Sequence, residues 1–219
     1  MKPDSKMMTT PRKQRKIVGT PRKQKVQPGR VKIAEALKVL LRKKEFNAIT
    51  TANIAQTSGM SEALIYRYFG DKRGLLHHVL RDFLKEYLHE LDNELTNISG
   101  TLNKIRKIIY GHINLFETNR VLAKILLLEV RNYPGYFECE SYEQVKRYSR
   151  MILKILQDGV ENGELEKNTP IKTLRQAILG GIEHLCLPRI VFKQPFESDV
   201  MADELCRILL YGAVAKNRK

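Results

Sequence analysis

Cysteine is scarce: Cys139, Cys186 and Cys206 are the chain's three. Their number is odd, their spacing is wide and no Cys-x-x-Cys pair occurs. That excludes a disulfide framework and a cysteine zinc site, and points to buried thiols in a reducing cytoplasm. Long apolar runs are missing too. The longest, residues 121–130, is interrupted by Lys124 and Glu129, well short of the ~20 apolar residues that span a bilayer. The basic N-terminus lacks the apolar stretch of a secretory signal. No useful run alternates apolar and polar residues, so no sheet is expected. HExxH, P-loop and GxSxG patterns are absent. The sequence therefore predicts no catalytic site, no metal, no cofactor and no membrane span.

What the chain has is helix and positive charge. Its 219 residues are 42% apolar, enough for a small domain plus a medium one. The net charge is +15, unevenly spread. Residues 1–30 hold ten Lys or Arg against one acid, Asp4, and the remainder holds 29 against 23. Within that basic stretch Thr10-Pro11-Arg12-Lys13-Gln14 recurs as Thr20-Pro21-Arg22-Lys23-Gln24. Proline and charge repulsion predict a disordered arm over residues 1–27. Two roles stand open for it. One is a solvated leader. The other is a DNA arm that lays an Arg-Lys pair in a narrow minor groove and gains affinity by counterion release.

Beyond the arm the spacing predicts about nine helices. The first covers residues 29–44, with Ile33, Leu37, Leu40 and Leu41 on one face. Short helices start near Thr51 and Ser61. A long one runs from Asp71 for about twenty residues through Leu75, Val79, Leu80, Phe83, Tyr87, Leu88 and Leu91, a connector between domains. Others are expected over 101–117, 120–131, 137–161, from Pro170 (capped by Thr169) to 187, and 198–215.

Residues 50–72 read as helix, glycine turn and helix. Gly59 supplies the left-handed end of the first helix. Ser61 is placed to cap the second. Leu64, Ile65 and Phe69 recur at helical spacing and pack back. Glu62, Ala63, Tyr66, Arg67 and Tyr68 face outward. Two helices joined this way set a recognition helix in a DNA major groove.

The order Gly59, Ser61, Leu64, Tyr66, Tyr68, Phe69, Lys72, Leu75, following an amphipathic helix, resembles the DNA-binding signature of the TetR family of bacterial repressors. Two positions depart from its pattern. Glu62 stands where a basic or small polar residue is more common. Gly74 stands where a glutamate usually completes a helix cap, weakening that helix start by about 1 kcal/mol relative to alanine. The resemblance implies an all-helical homodimer that binds a palindromic operator on double-stranded DNA, is cytoplasmic and nucleoid-associated, and is no enzyme. It implies a helix-turn-helix domain over 28–75 (motif 50–69) and an effector and dimerisation domain over 76–219. Carried onto this chain, Thr51, Ser61, Tyr68 and Lys72 contact phosphates, Arg30 lies on the DNA side, and Glu62, Ala63, Tyr66 and Arg67 face base edges or the groove wall. In such a fold the last two helices form the dimer contact, which places Gly180, Gly181, Leu205 and Leu209 there. The other reading of the glycines is close packing within one subunit.

The second domain offers fewer signals. His77, His78 and His89 read as solvated, and His112 and His184 as core or pocket residues. Residues 120–131 are apolar nearly all round, so that helix is buried. Glu129 and Arg131 then form an ion pair or cap, or else mark the polar mouth of an apolar pocket. Residues 126–163 resemble TetR-type regulators that answer to fatty acyl-coenzyme A. On that lead, a small apolar effector meets Phe116, Leu127, Tyr148, Ile152 and Ile155, with Arg131 or His184 at its polar end. A rival reading keeps the fold without a small ligand, as a nucleoid-associated or division-linked DNA-binding protein.

Overall fold

The computed structural model describes residues 27–212, and the basic arm expected over 1–27 lies almost wholly outside them. Nine helices follow in order: α1 (Pro28–Leu41), α2 (Thr51–Ser58), α3 (Glu62–Phe69), α4 (Lys72–Thr96), α5 (Thr101–Thr118), α6 (Arg120–Lys124), α7 (Glu140–Glu161), α8 (Ile171–Val191) and α9 (Ser198–Tyr211). No strand occurs among the described residues.

α1, α2 and α3 form a small bundle on the N-terminal end of α4. Ile33, Leu37, Ile49, Ile54, Ile65, Leu75 and Leu76 are fully enclosed at its centre. Such burial contributes roughly 1.5–3 kcal/mol per large aliphatic side chain. α2 starts with a capping box: Thr50 accepts from the Asn53 backbone N–H, and the Asn53 side chain accepts from Thr50. Gly59 ends it in the left-handed conformation at φ 66°. Ser61 is the residue before α3, but its side chain makes no capping bond. Asp71 caps α4 by accepting from the Gly74 N–H at 2.6 Å.

α4 runs unbroken through the expected domain boundary and packs along α7, while α5 packs on α9. Leu84, Leu88, Leu91 and Leu95 continue its buried stripe into the second domain. The N-terminus of α5 is capped from a distance. The Glu164 carboxylate accepts from the backbone N–H of Thr101 at 2.8 Å and of Leu102, and those bonds hold its pKa below the usual carboxylate value.

Several element ends differ from the sequence reading. α1 stops at Leu41, and a 3-10 turn at Phe46–Ala48 intervenes before α2. The single helix expected over 120–131 is broken. Only Arg120–Lys124 is α-helical. Ile125–Glu129 widens into a π-helical turn and Val130–Asn132 tightens into a 3-10 turn. A third 3-10 turn, Pro134–Glu138, delays α7 to Glu140. Pro170 itself precedes α8, with no Thr169 cap, and α8 continues past Pro188 to Val191. α9 ends at Tyr211 before Gly212. Nor is the segment over 120–131 buried all round as expected: Ala123, Ile125, Leu126 and Val130 are buried, but Val121 is exposed and Leu122, Leu127 and Leu128 are half-buried. Apolar periodicity cannot distinguish α from π or 3-10 winding when apolar residues occupy every face.

His77 and His78 are not solvated. His77 is buried between the Tyr133 and Tyr136 rings, with Nδ1 3.2 Å from the Ser141 hydroxyl. His78 is half-buried beside Phe69 and Arg81. The non-α segment at Val130–Glu138 folds over this part of α4, a cover that a reading of α4 alone cannot reveal. His89 is exposed, as expected.

Candidate DNA-reading surface and effector cavity

α3 shows two faces. Ile65 is fully buried and Leu64 and Phe69 are partly so, which anchors the helix on α1, α2 and α4. Ser61, Glu62, Ala63, Tyr66 and Arg67 are exposed. Tyr66 keeps half its surface in solvent. The Arg67 guanidinium sits 5.4 Å over the Tyr68 ring, so the cation is held along the exposed face. The Thr51 hydroxyl at the start of α2 donates to the Glu62 carboxylate. This bond turns Glu62 back toward α2, which is why an acid is tolerated on an otherwise non-acidic face.

Three residues assigned to DNA lie differently from the rest. The Lys72 ammonium donates to the carbonyls of Phe46 (3.0 Å) and Ile49 (2.6 Å) and covers the Phe46 ring at 4.5 Å. Burial, then Arg73, push its pKa below the usual lysine value. Arg30 is half-buried, with its guanidinium 5.3 Å over Phe69 and 3.4 Å from His78. Tyr68 is half-buried and packs near Gly29 at the start of α1. In this structure Lys72 and Arg30 hold the small domain together.

A cavity of about 90 Å³ lies where α4, α5, the π turn, α7 and α8 converge. Phe116, Leu127, Arg131 and Tyr148 line it, four of the seven residues expected there. Ile152 is fully buried but outside it. Ile155 borders a separate groove with Arg150 and Met151. His184 is exposed on α8. Both α7 residues fail for one reason: they belong to the same apolar stripe as Tyr148, but one and two turns further along.

The sequence reading missed Gln144, Glu183 and Tyr87 and left His112 open. His112 is the buried polar centre, with Nδ1 3.2 Å from the Tyr148 hydroxyl and the ring edge-on to Phe116. Burial drives the His112 pKa down to about 4, and pushes the Tyr148 phenol well above its ordinary value. Arg131 donates to both Glu183 oxygens, one bond at 2.8 Å, where the cavity meets solvent. That bond is also the main reason the Arg131 pKa is raised. Gln144–Tyr148 and Leu179–Glu183 each repeat at i, i+4, so their spacing was the available signal.

The cavity touches the DNA-binding domain through its own wall. The π turn contributes Leu126 and Leu127 to the lining. Its last residue, Glu129, accepts from the Asn47 side chain at 3.3 Å, and Lys124 just before it pairs with Glu45 at 2.7 Å. Glu45 and Asn47 flank Phe46, one of the two residues whose carbonyls Lys72 holds.

Gly181 meets Leu205 of the same chain, since a Cβ there would lie 2.9 Å from a Leu205 methyl. Leu205 is buried in that contact. Both therefore serve packing of α8 on α9 within one subunit. Gly180 faces open space, and Leu209 is partly buried.

Residues 33–79 match the family model of bacterial regulatory proteins, tetR family, and residues 80–212 match the C-terminal region of YsiA-like proteins. This chain belongs to the TetR family. Among curated relatives, it is 21% identical to the fatty acid metabolism regulator protein of Bacillus subtilis over 84% of this chain and 95% of the relative. It is 30% identical to the nucleoid occlusion factor SlmA of Vibrio campbellii over 70% of this chain and 80% of that protein. Its fold matches the crystal structure of the regulator FadR from Bacillus subtilis in complex with stearoyl-CoA, with TM-score 0.76 and 19% identity over 84% of this chain and 99% of that one. This TetR-family chain is a DNA-binding transcriptional regulator with an N-terminal helix-turn-helix. No described helix is long and apolar enough to cross a membrane, and the described residues hold no metal-binding cluster.

Proposed function

We propose that the protein is a homodimeric repressor that leaves a palindromic operator when a fatty acyl-coenzyme A enters the second domain. The observation that carries this reading is the cavity itself. It is mostly apolar and is bounded by α4, α5, the irregular turns, α7 and α8. Its π-helical wall and the end of α6 just before that wall are bonded to the DNA-binding domain at Asn47 and Glu45. The likeness to regulators of fatty acid metabolism over nearly their whole length supports the choice of ligand.

At about 90 Å³ the cavity is smaller than the ~300–1,000 Å³ of ordinary ligand sites. A long acyl chain must therefore enlarge it. The wall that yields most readily is the π and 3-10 segment, whose backbone bonding is irregular. Moving it carries Glu129 and Lys124 away from the small domain. A ligand that fits only the enlarged form then shifts the population away from the DNA-binding one.

Tyr66, Arg67, Ala63 and Ser61 form the DNA-facing surface in this reading, with Thr51 and Glu62 beside them. The outer faces of α8 and α9 join two subunits, where Phe192, Ile208 and Tyr211 are half or more exposed. Residues 1–27 add non-specific DNA affinity. The SlmA likeness favours the rival without a small ligand, but that reading leaves the cavity and its bonded wall without a role.

The test is a thermal melt with acyl-coenzyme A from four to eighteen carbons. Each buried methylene contributes roughly 0.8 kcal/mol, so Tm should climb with chain length. A flat response removes the acyl reading.

A further inference from the structure

Two side chains on the cavity lining carry a buried polar atom with no hydrogen-bond partner among the described residues: the hydroxyl of Tyr87 and the side-chain oxygen of Gln144. Four neighbours on the same lining pair with each other instead. His112 engages the Tyr148 hydroxyl, and Arg131 donates to both Glu183 oxygens. The Tyr87 ring stands edge-on to Tyr148, with centroids 6.5 Å apart. Its hydroxyl lies against Gly111 of α5, where an added Cβ would be 3.4 Å from it. Burial raises the Tyr87 pKa above the ordinary phenol value, so the group stays a neutral O–H.

Buried polar groups without partners are rare, and each loses free energy until it finds one. Here one is a donor and the other an acceptor. A saturated acyl chain gives nothing to either, and it displaces any water that serves them. A keto oxygen accepts from Tyr87 but gives nothing to Gln144. A hydroxyl accepts from Tyr87 and donates to Gln144. Tyr87 is on α4 and Gln144 on α7, two regular helices that pack along each other. Neither is on the irregular wall that yields to a ligand, so the enlarged site keeps both.

The place of that oxygen on the chain follows from the mouth. The nucleotide of an acyl-coenzyme A stays in solvent, outside Arg131 and Glu183, whose side chains are 45% and 28% exposed. A cavity of about 90 Å³ has room for only a few groups the size of water. Its lining therefore meets the carbons next to the thioester, not the tail.

We propose that Tyr87 and Gln144 make this cavity prefer an acyl thioester hydroxylated at carbon 3 to the saturated thioester of the same length. Tyr87 donates to the hydroxyl oxygen, and Gln144 accepts from the hydroxyl proton. This rests on the acyl reading above and adds a chemical class of ligand to it.

Three coenzyme A esters test it: dodecanoyl, 3-oxododecanoyl and 3-hydroxydodecanoyl, the last as each enantiomer. Affinities are measured by calorimetric titration of the wild type, Tyr87→Phe and Gln144→Leu. Each hydrogen bond to a buried group contributes a factor of about ten. In the wild type the 3-oxo ester should bind about tenfold tighter than the saturated one, and the better 3-hydroxy enantiomer about tenfold tighter again. Tyr87→Phe keeps the ring and should bring the 3-oxo ester level with the saturated ester. Gln144→Leu should bring the 3-hydroxy ester level with the 3-oxo ester. Both variants should bind the saturated ester at least as tightly as the wild type does, because one fewer polar group is stranded beside the chain. Variants that weaken all esters alike, or leave their ratios unchanged, overturn the assignment of the two residues. Equal wild-type binding of the saturated and 3-hydroxy esters overturns the preference while the acyl reading stands. Should Gln144→Leu not fold, the wild-type ratios and Tyr87→Phe decide the matter. Absence of wild-type binding by every ester overturns the acyl reading itself.

Discussion

The ammonium of Lys72 donates to the carbonyl of Ile49 at 2.6 Å, across the gap between α4 and the chain entering α2. A second bond to Phe46 completes a clasp around the 3-10 turn. Lys72 thus connects the first residue of α4 to the segment that aims α2. Lys72→Met keeps the stem but abandons two carbonyls that no other side chain reaches in the same way. Hydrogen bonds from a charged group contribute about 1.5–3 kcal/mol, and Lys72 is only partly enclosed, so a loss of about 1–2 kcal/mol is expected in urea unfolding. A variant that loses operator affinity at unchanged stability would return Lys72 to the phosphates.

Gly74 should not accept a side chain. An added Cβ would lie 2.0 Å from the Phe69 carbonyl oxygen, a backbone atom that cannot step aside. Helix propensity alone favours alanine by about 1 kcal/mol. The clash reverses the sign. Gly74→Ala should lower Tm by several degrees, with overpacking costing about 1–3 kcal/mol. A raised Tm would mean that α3 and α4 relax apart freely.

Arg67 is exposed and steadied by the Tyr68 ring. Arg67→Ala should relax sequence preference at one base pair by about 1–3 kcal/mol, whereas Thr51→Ala should weaken all sequences alike. Operator selection from a random library reads the difference. An unchanged operator preference for Arg67→Ala would show that Arg67 reads no base.

The helix-turn-helix was legible in the sequence because its signals are local. Gly59 takes the left-handed φ that ends α2, and Leu64, Ile65 and Phe69 do pack inward. Direction was harder to read. Lys72 and Arg30 look like surface cations in sequence, yet carbonyls and aromatic rings distant in the chain draw both inward. The apolar stripe of α7 located the cavity but not its depth. Tyr148 faces it, while Ile152 and Ile155 on later turns of the same stripe do not. The Arg131–Glu183 pair spans 52 positions between an irregular turn and α8, and no local pattern announces it.

His112 makes stability depend on pH. Burial lowers its folded pKa to about 4 from 6.5, with Glu183 and Arg131 acting in opposite directions. Between those values the unfolded chain binds a proton that the folded chain refuses, so stability falls as pH drops from about 6.5 toward 4. The full difference corresponds to about 3 kcal/mol. His112→Gln should therefore show a smaller Tm loss than the wild type between pH 7 and pH 5. Equal losses would mean that His112 charges without resistance in the folded state.

In the mechanism proposed above, an acyl chain that enters this cavity enlarges it, and that enlargement releases DNA. Leu127 lies on the π turn, on the cavity wall and half-buried, so Leu127→Trp should fill the space that an acyl chain needs. The direct measurement is fluorescence anisotropy of labelled operator bound to wild type and Leu127→Trp, titrated with dodecanoyl-coenzyme A. The wild type should release the operator as ligand rises, and Leu127→Trp should bind the operator and hold it. Release of both at the same ligand concentration would contradict the account.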